Sequence, residues 1–215
     1  MLRKLKAMFK QPSLDFFDQS LSRERLIQAG RIVFIEDEEP LLISELRSAG
    51  FSVDHDRTGE DLHNIDQQIY DLAVVDYHGV GQRLGKGQGL DLLKHIRRVS
   101  PRTRVMAYTS RSLSSAESEF FRLSHAILPK DLGLVDSLGR VETELRKAFT
   151  KEHLFEAMIA KLNMADAEEK EAARCALVKA LKKGEENRFK EHVKKLAGST
   201  AEKAVELIIA RMFGA

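Results

Sequence analysis

Apolar and polar positions follow two different rhythms along this chain. Between Arg31 and Ala148 short apolar runs alternate with stretches of helical spacing. The runs are "RIVFI", "DLAVVD", "RVMAYT" and "AILP", with "FSVDHD" as a strand that alternates, each bounded by polar or turn-forming residues. Between them lie "PLLISELRSAG", the short "TGEDLHNI", "GLDLLKHIRRV", "SSAESEFFRL" and "LVDSLGRVETELRKAF", which repeat their apolar residues every three to four positions. Pro40 and Gly50 bracket the first of these helices, and Ser114 with Glu117 makes a capping box for the fourth. Strands that are apolar throughout are buried on both faces. The pattern therefore predicts an α/β domain, a parallel sheet with helices on each side.

After Phe149 the alternation stops. Leu154, Phe155, Met158, Ile159 and Leu162 form a helical stripe. Asp166 and Glu169 cap a second helix that ends at Gly184, and Phe189, Val193 and Leu196 mark a third, before Gly198. Ser199 with Glu202 opens a fourth, carrying Val205, Ile208, Ile209 and Met212. The expected division is a helical leader over 1–30, an α/β domain over 31–149 and an all-α domain over 150–215. In the leader, Leu2, Leu5, Met8 and Phe9 share one side of a short basic helix, a weak membrane contact at most. Leu14, Phe16, Phe17, Leu21, Leu26 and Ile27 predict a second helix before the first strand.

Composition adds exclusions. Of 215 residues, 43% are hydrophobic and 32% charged, which is ordinary for a folded chain. The formal net charge of +2 gives no global pull toward nucleic acid. No apolar run approaches the roughly 18 residues of a membrane span. Cys175 is the only cysteine, so no internal disulfide forms and no thiolate pair offers a structural zinc site. A reducing cytoplasm is the expected location.

The chemistry collects at the strand ends. The first strand ends in Glu36 and Asp37, the third in Asp76, the fourth in Thr109 and Ser110, and the fifth in Lys130. In a parallel sheet with right-handed crossovers these ends share one edge, where ligands bind. Three neighbouring carboxylates repel one another and call for a cation, and an all-oxygen set suits Mg2+. A lysine and a hydroxyl aimed at the same point suit the equatorial oxygens of a transferred phosphoryl group. An aspartate is a competent nucleophile for such a group, forming an acyl phosphate.

The segment from Arg31 to about Ala148 resembles a receiver domain of the bacterial two-component response-regulator family. "IVFIEDEEPLL" resembles the family's first strand with its acidic pair, and "YDLAVVD" its third strand with the phosphoacceptor. "VMAYTS" and "AILPKDL" resemble the strands that carry its hydroxyl and its lysine. The resemblance implies a flavodoxin-like (βα)5 doubly wound sheet of order 2-1-3-4-5, with Asp76 as the phosphorylation site. It implies that Glu36, Asp37, Asp76 and the backbone carbonyl of His78 hold Mg2+, and that Thr109 and Lys130 bind phosphoryl oxygens. It further implies a sensor histidine kinase or phosphotransfer protein as donor, and self-catalysed phosphotransfer and dephosphorylation in place of metabolic turnover. Three departures stand out. The loop after Asp76 is long and lacks the usual proline, Ile127 replaces an aromatic switch residue, and Asp131 follows the lysine where proline is common.

The glycine-rich stretch "DYHGVGQRLGKGQGLD" is not a nucleotide cradle. Gly85-Lys86 is followed by Gly87 where Ser or Thr is needed, and Val80 stands where the first glycine belongs. Leu84 breaks the dinucleotide pattern begun by Gly79 and Gly81. A flexible loop, with Arg83 and Lys86 in solvent, is the plain expectation. For the helical tail three outputs stay open. It lacks a basic recognition helix for DNA, and His153 and His192 read as surface helix histidines without phosphotransfer spacing. A protein-interaction or self-association module, acting on a downstream target or as a homodimer, is the preferred expectation. The alternative to a phosphorylated switch is a receiver-like scaffold that binds partners constitutively.

Overall fold

The computed structural model describes residues 13–18, 21–110, 118–197 and 203–214. The chain divides into two compact units, one spanning Ser20–Phe149 and the other joining Met1–Gln19 to Thr150–Ala215. The capping boxes at Ser114 and Ser199, the stop at Gly198 and the basic stretch 1–10 lie outside the described residues.

The α/β unit opens with helix α1, Arg23–Ala29, whose N-cap Ser22 accepts from the Arg25 amide. Then follow β1 Arg31–Ile35, α2 Leu41–Ser48, β2 Ser52–Asp56, α3 His63–Asp66, β3 Leu72–Asp76, α4 Gly89–Val99, β4 Arg104–Thr109, α5 Ser118–Leu123, β5 Ala126–Pro129 and α6 Leu134–Lys147. All strand pairs are parallel, and the order is β2-β1-β3-β4-β5. This is the expected doubly wound sheet.

Side-chain alternation along the strands builds two cores. Ile32, Phe34, Leu72, Val74, Met106 and Leu128 face α1, α2 and α6, which contribute Leu26, Ile43, Leu46, Val141 and Leu145. Val33, Ile35, Ala73, Val75, Val105 and Ala107 face α3, α4 and α5, which contribute Ile65, Leu92, Ile96 and Phe120. The middle strand β3 is buried at every position because it is covered on both sides. Ile127, where an aromatic residue was expected in the family pattern, packs against the second core.

The described part of the expected leader is not one body. Leu14 is buried in the helical unit, whereas Leu26 is fully buried in the α/β unit. Helical spacing identifies an apolar stripe but not the body that covers it.

At the edge of the sheet where strands begin, a buried ion pair joins three strands. The Asp71 carboxylate accepts from the Arg31 amide at 3.0 Å and from Arg102 Nη1. Arg102 Nη2 also donates to the carbonyls of Gln68 and Ile69. The Asp71 backbone pairs with Arg31 on one side and Arg104 on the other. Thr103 Oγ1 closes the network on the Tyr70 carbonyl at 2.8 Å.

The helical unit contains α7 Lys151–Lys161, α8 Ala167–Lys183, α9 Glu186–Ala197 and α10 Lys203–Phe213, with a 3-10 turn at Asp15–Phe17. Thr150 and Asp166 cap α7 and α8, and Gly184 ends α8 in the left-handed conformation. The expected stripes meet in a closed core of Leu154, Phe155, Met158, Leu177, Phe189, Val193, Ile208 and Met212. Arg174 is buried within it, over the Phe155 ring, and grips Glu152 through two hydrogen bonds of 2.6 and 2.5 Å. His192 is half-buried, with a shielded Nε2, and lines a cavity with Ala172, Cys175 and Ala176 of α8. No helix among the described residues is long and apolar enough to cross a membrane.

Candidate functional site

Register brings the strand-end residues together. Ile35 pairs with Val75, so Glu36 comes opposite Asp76, and Asp76 pairs with Tyr108. Thr109 pairs with Pro129, and its carbonyl accepts from the Lys130 amide at 2.7 Å. Glu36, Asp37 and Asp76 each present a carboxylate oxygen within 4.8 Å of the other two. Lys130 Nζ lies 2.6 Å from Glu36 Oε2 and 3.0 Å from Asp76 Oδ2. It also sits over the Tyr108 ring, 5.1 Å from the centroid. Thr109 is buried at the same edge, one residue beyond Tyr108. Of the predicted residues, Glu36 and Asp76 are in direct contact with Lys130, and Asp37 has a carboxylate oxygen within 4.8 Å of both acids. Thr109 and His78 adjoin them through the β4 end and the β3 loop.

The electrostatics follow from burial. Glu36 is 3% exposed. Burial, reinforced by the nearby Asp76 charge and opposed by Lys130, pushes its carboxyl up to about 7. Burial alone would lower the Lys130 ammonium, but its bonds to Glu36 and Asp76 outweigh that and raise it. Tyr108 is raised chiefly by burial. Glu36 Oε2 is in close ionic contact with Lys130 Nζ at 2.6 Å. Three carboxylates within reach of one point, with a single ammonium among them, fit a hard divalent cation such as Mg2+. Glu36, Asp37 and Asp76 are the residues that would hold it.

This predicts an inverted pH response. Glu36 titrates near 4.5 when unfolded and at about 7 when folded, so the folded state binds its proton more tightly. Its stabilising contribution is complete below the unfolded value and is lost as pH rises through the folded one. In metal-free buffer, wild type should lose stability relative to Glu36→Gln between pH about 5 and about 8. Urea midpoints across this window provide the measurement, and a constant difference contradicts the assignment.

Sequence reasoning missed several supporting groups. His55, on β2, donates from Nε2 to the Glu36 carbonyl at 2.8 Å and so fixes the first acid's backbone. Arg57 reaches the Asp37 carbonyl. The glycine loop is pinned, not loose. Val80 is fully buried, Gly81 donates to the Thr58 carbonyl at 2.7 Å, and Gly89 donates to the Tyr77 carbonyl at 3.0 Å. A Cβ on Gly89 would lie 2.1 Å from the Asp76 carbonyl oxygen, which only glycine avoids. Gly79 packs so closely on Asp37 that a Cβ would meet its Oδ2 at 2.9 Å. Arg83 remains in solvent, paired to Glu60 at 2.9 Å. Buried Val80 and the return of Gly89 to β3 have no local signature among so many glycines.

The α/β unit is thus a doubly wound sheet of order 2-1-3-4-5 with three acids and a lysine gathered at its C-terminal edge. No protein-family model and no curated protein matches the chain. Among solved structures, NtrX from Brucella abortus in complex with ATP is 16% identical, with a TM-score of 0.50. That match covers 71% of this chain and 34% of the other. A CheY-like response regulator receiver domain protein from Methanospirillum hungatei is 20% identical over 55% of this chain and 95% of its own, with a TM-score of 0.47. The response regulator TrrA from Thermotoga maritima, in complex with Mg2+ and BeF, is 22% identical over 54% of this chain and 98% of its own, with a TM-score of 0.46. At these identities the likeness is one of fold. The α/β unit has the CheY-like receiver fold.

Proposed function

We propose that this protein is a response regulator, a switch that accepts a phosphoryl group on Asp76 from the phosphohistidine of a partner histidine kinase or phosphotransfer protein. The observation that carries this reading is Lys130 Nζ held between Glu36 and Asp76 in a three-acid cluster at the sheet edge. In the reaction an Asp76 carboxylate oxygen attacks phosphorus in line with the P–N bond. The O–P bond forms as the P–N bond breaks, and the bonding pair returns to the imidazole nitrogen. Lys130 stays protonated and transfers its contact to a phosphoryl oxygen, and the Thr109 hydroxyl donates to another. Glu36, Asp37, Asp76 and the His78 carbonyl would hold Mg2+, which would supply positive charge against the phosphoryl oxygens. Hydrolysis by water resets Asp76. The chain thus acts on itself and turns over no separate metabolite.

The helical unit supplies the output in this reading, through protein–protein contacts. Its apolar stripes are spent on its own core, so a partner would meet its polar surface or exposed residues such as Leu207. The test is to add beryllium fluoride with Mg2+, or acetyl phosphate with Mg2+, to wild type and to Asp76→Asn. Wild type should gain thermal stability with the first and phosphoryl mass with the second, and Asp76→Asn neither. A wild type that responds to neither reagent would instead be a constitutive scaffold.

A further inference from the structure

The lengthened loop contains one residue in a backbone conformation that side chains rarely adopt. Gln88 has φ 50° and ψ −121° and is not a glycine. Such geometry is strained and persists where surrounding contacts impose it. Those contacts are visible. Its neighbour Gly89 is wedged against the Asp76 carbonyl, and its own carbonyl lies against Gly81. Its side-chain Oε1 accepts from the Gly79 amide at 3.2 Å.

That amide belongs to the peptide between His78 and Gly79. The chain has no cis peptide among its described residues, so the N–H and C=O of this planar unit point in opposite directions. Whatever holds the Gly79 N–H therefore also aims the His78 carbonyl. Gly79 stands directly against the Asp37 carboxylate, so this peptide borders the acid cluster.

We infer that Gln88 is a positioning residue, which orients the His78–Gly79 peptide so that its carbonyl serves as an oxygen ligand beside Asp37. The long loop brings Gln88 back from ten residues beyond His78 to do so, since Gly89 rejoins the end of β3 at Tyr77. Outer groups that orient a ligand typically contribute 10- to 100-fold in metal affinity. The inference rests on the proposed cation site, and its test separates the two.

The experiment uses the full chain, with amide hydrogen exchange at Gly79 in metal-free buffer and Mn2+ affinity by electron paramagnetic resonance. The Gly79 amide should be protected in wild type and in Gln88→Glu, which keeps an acceptor oxygen. Protection should be lost in Gln88→Ala and in Gln88→Gly. Mn2+ affinity should fall about 10- to 100-fold in both of these and stay near wild type in Gln88→Glu. Gln88→Gly also relieves the backbone strain, so it remains informative if Gln88→Ala folds poorly. Wild-type affinity in Gln88→Gly overturns the inference, as does unchanged Gly79 protection. Protection lost as expected in a chain whose wild type binds no Mn2+ overturns the cation site while leaving the side-chain clamp intact.

Discussion

Lys130→Met should slow phosphoryl uptake at Asp76 from acetyl phosphate by about 100- to 1000-fold, the usual loss when one preorganised charge partner of a transition state is removed. Methionine keeps an apolar stem against the Tyr108 ring and deletes the ammonium, so the change isolates charge from packing. Two consequences act in the same direction. The phosphoryl oxygens lose a fixed cation at the moment their charge is redistributed. Glu36, already at about 7 with Lys130 beside it, loses the interaction that opposes its protonation. It should therefore be largely neutral at pH 7, and a neutral acid is a poorer cation ligand. Intact mass against time, at saturating Mg2+, measures the rate. A decrease of less than tenfold would show that Lys130 is only structural.

The second large effect is on stability, at the opposite edge of the sheet. Asp71→Ala should destabilise the α/β unit by about 3–5 kcal/mol, because it strands a buried guanidinium. The Asp71 side chain is 1% exposed and that of Arg102 8%, so water cannot replace the missing carboxylate. The Arg31 amide loses its partner in the same step. Stabilities of 5–15 kcal/mol are typical of whole domains, so the loss is a large share. The double variant Asp71→Leu/Arg102→Met should recover much of it, since replacing both ions with apolar groups removes the unpaired charge. Urea unfolding of wild type and these two variants tests this. Equal destabilisation in single and double variants would mean that the pair adds net stability beyond its own desolvation.

These two edges explain why one was legible and the other was not. The β3 run "LAVVD" announces burial on both faces, and an acid at the end of a buried strand announces an edge. Glu36, Asp76 and Lys130 were readable because each closes an apolar strand, and parallel register then aligns them without further information. Asp71 and Arg102 carry the same residue types as any solvated turn. Their pairing depends on three-dimensional closure across 31 positions, which no local period encodes. Arg174 was hidden for the same reason, as a charge within a stripe whose apolar members were easy to see. Gln88 was harder still, since its importance lies in a backbone angle and not in its type.

The loop between Tyr77 and Gly89 is closed at its base by the Gly89–Tyr77 and Gly79–Gln88 hydrogen bonds, with Val80 as an inner anchor. Its outer arc exposes Gln82, Arg83 and Lys86, while Arg83 pairs with Glu60 and the Gly87 amide donates to Asp91. Lengthening such an arc costs only about 0.6 kcal/mol per doubling. A peptide tag or fluorophore grafted at exposed Gln82 should leave the sheet undisturbed, which makes this arc a natural place to attach a reporter of the site's occupancy.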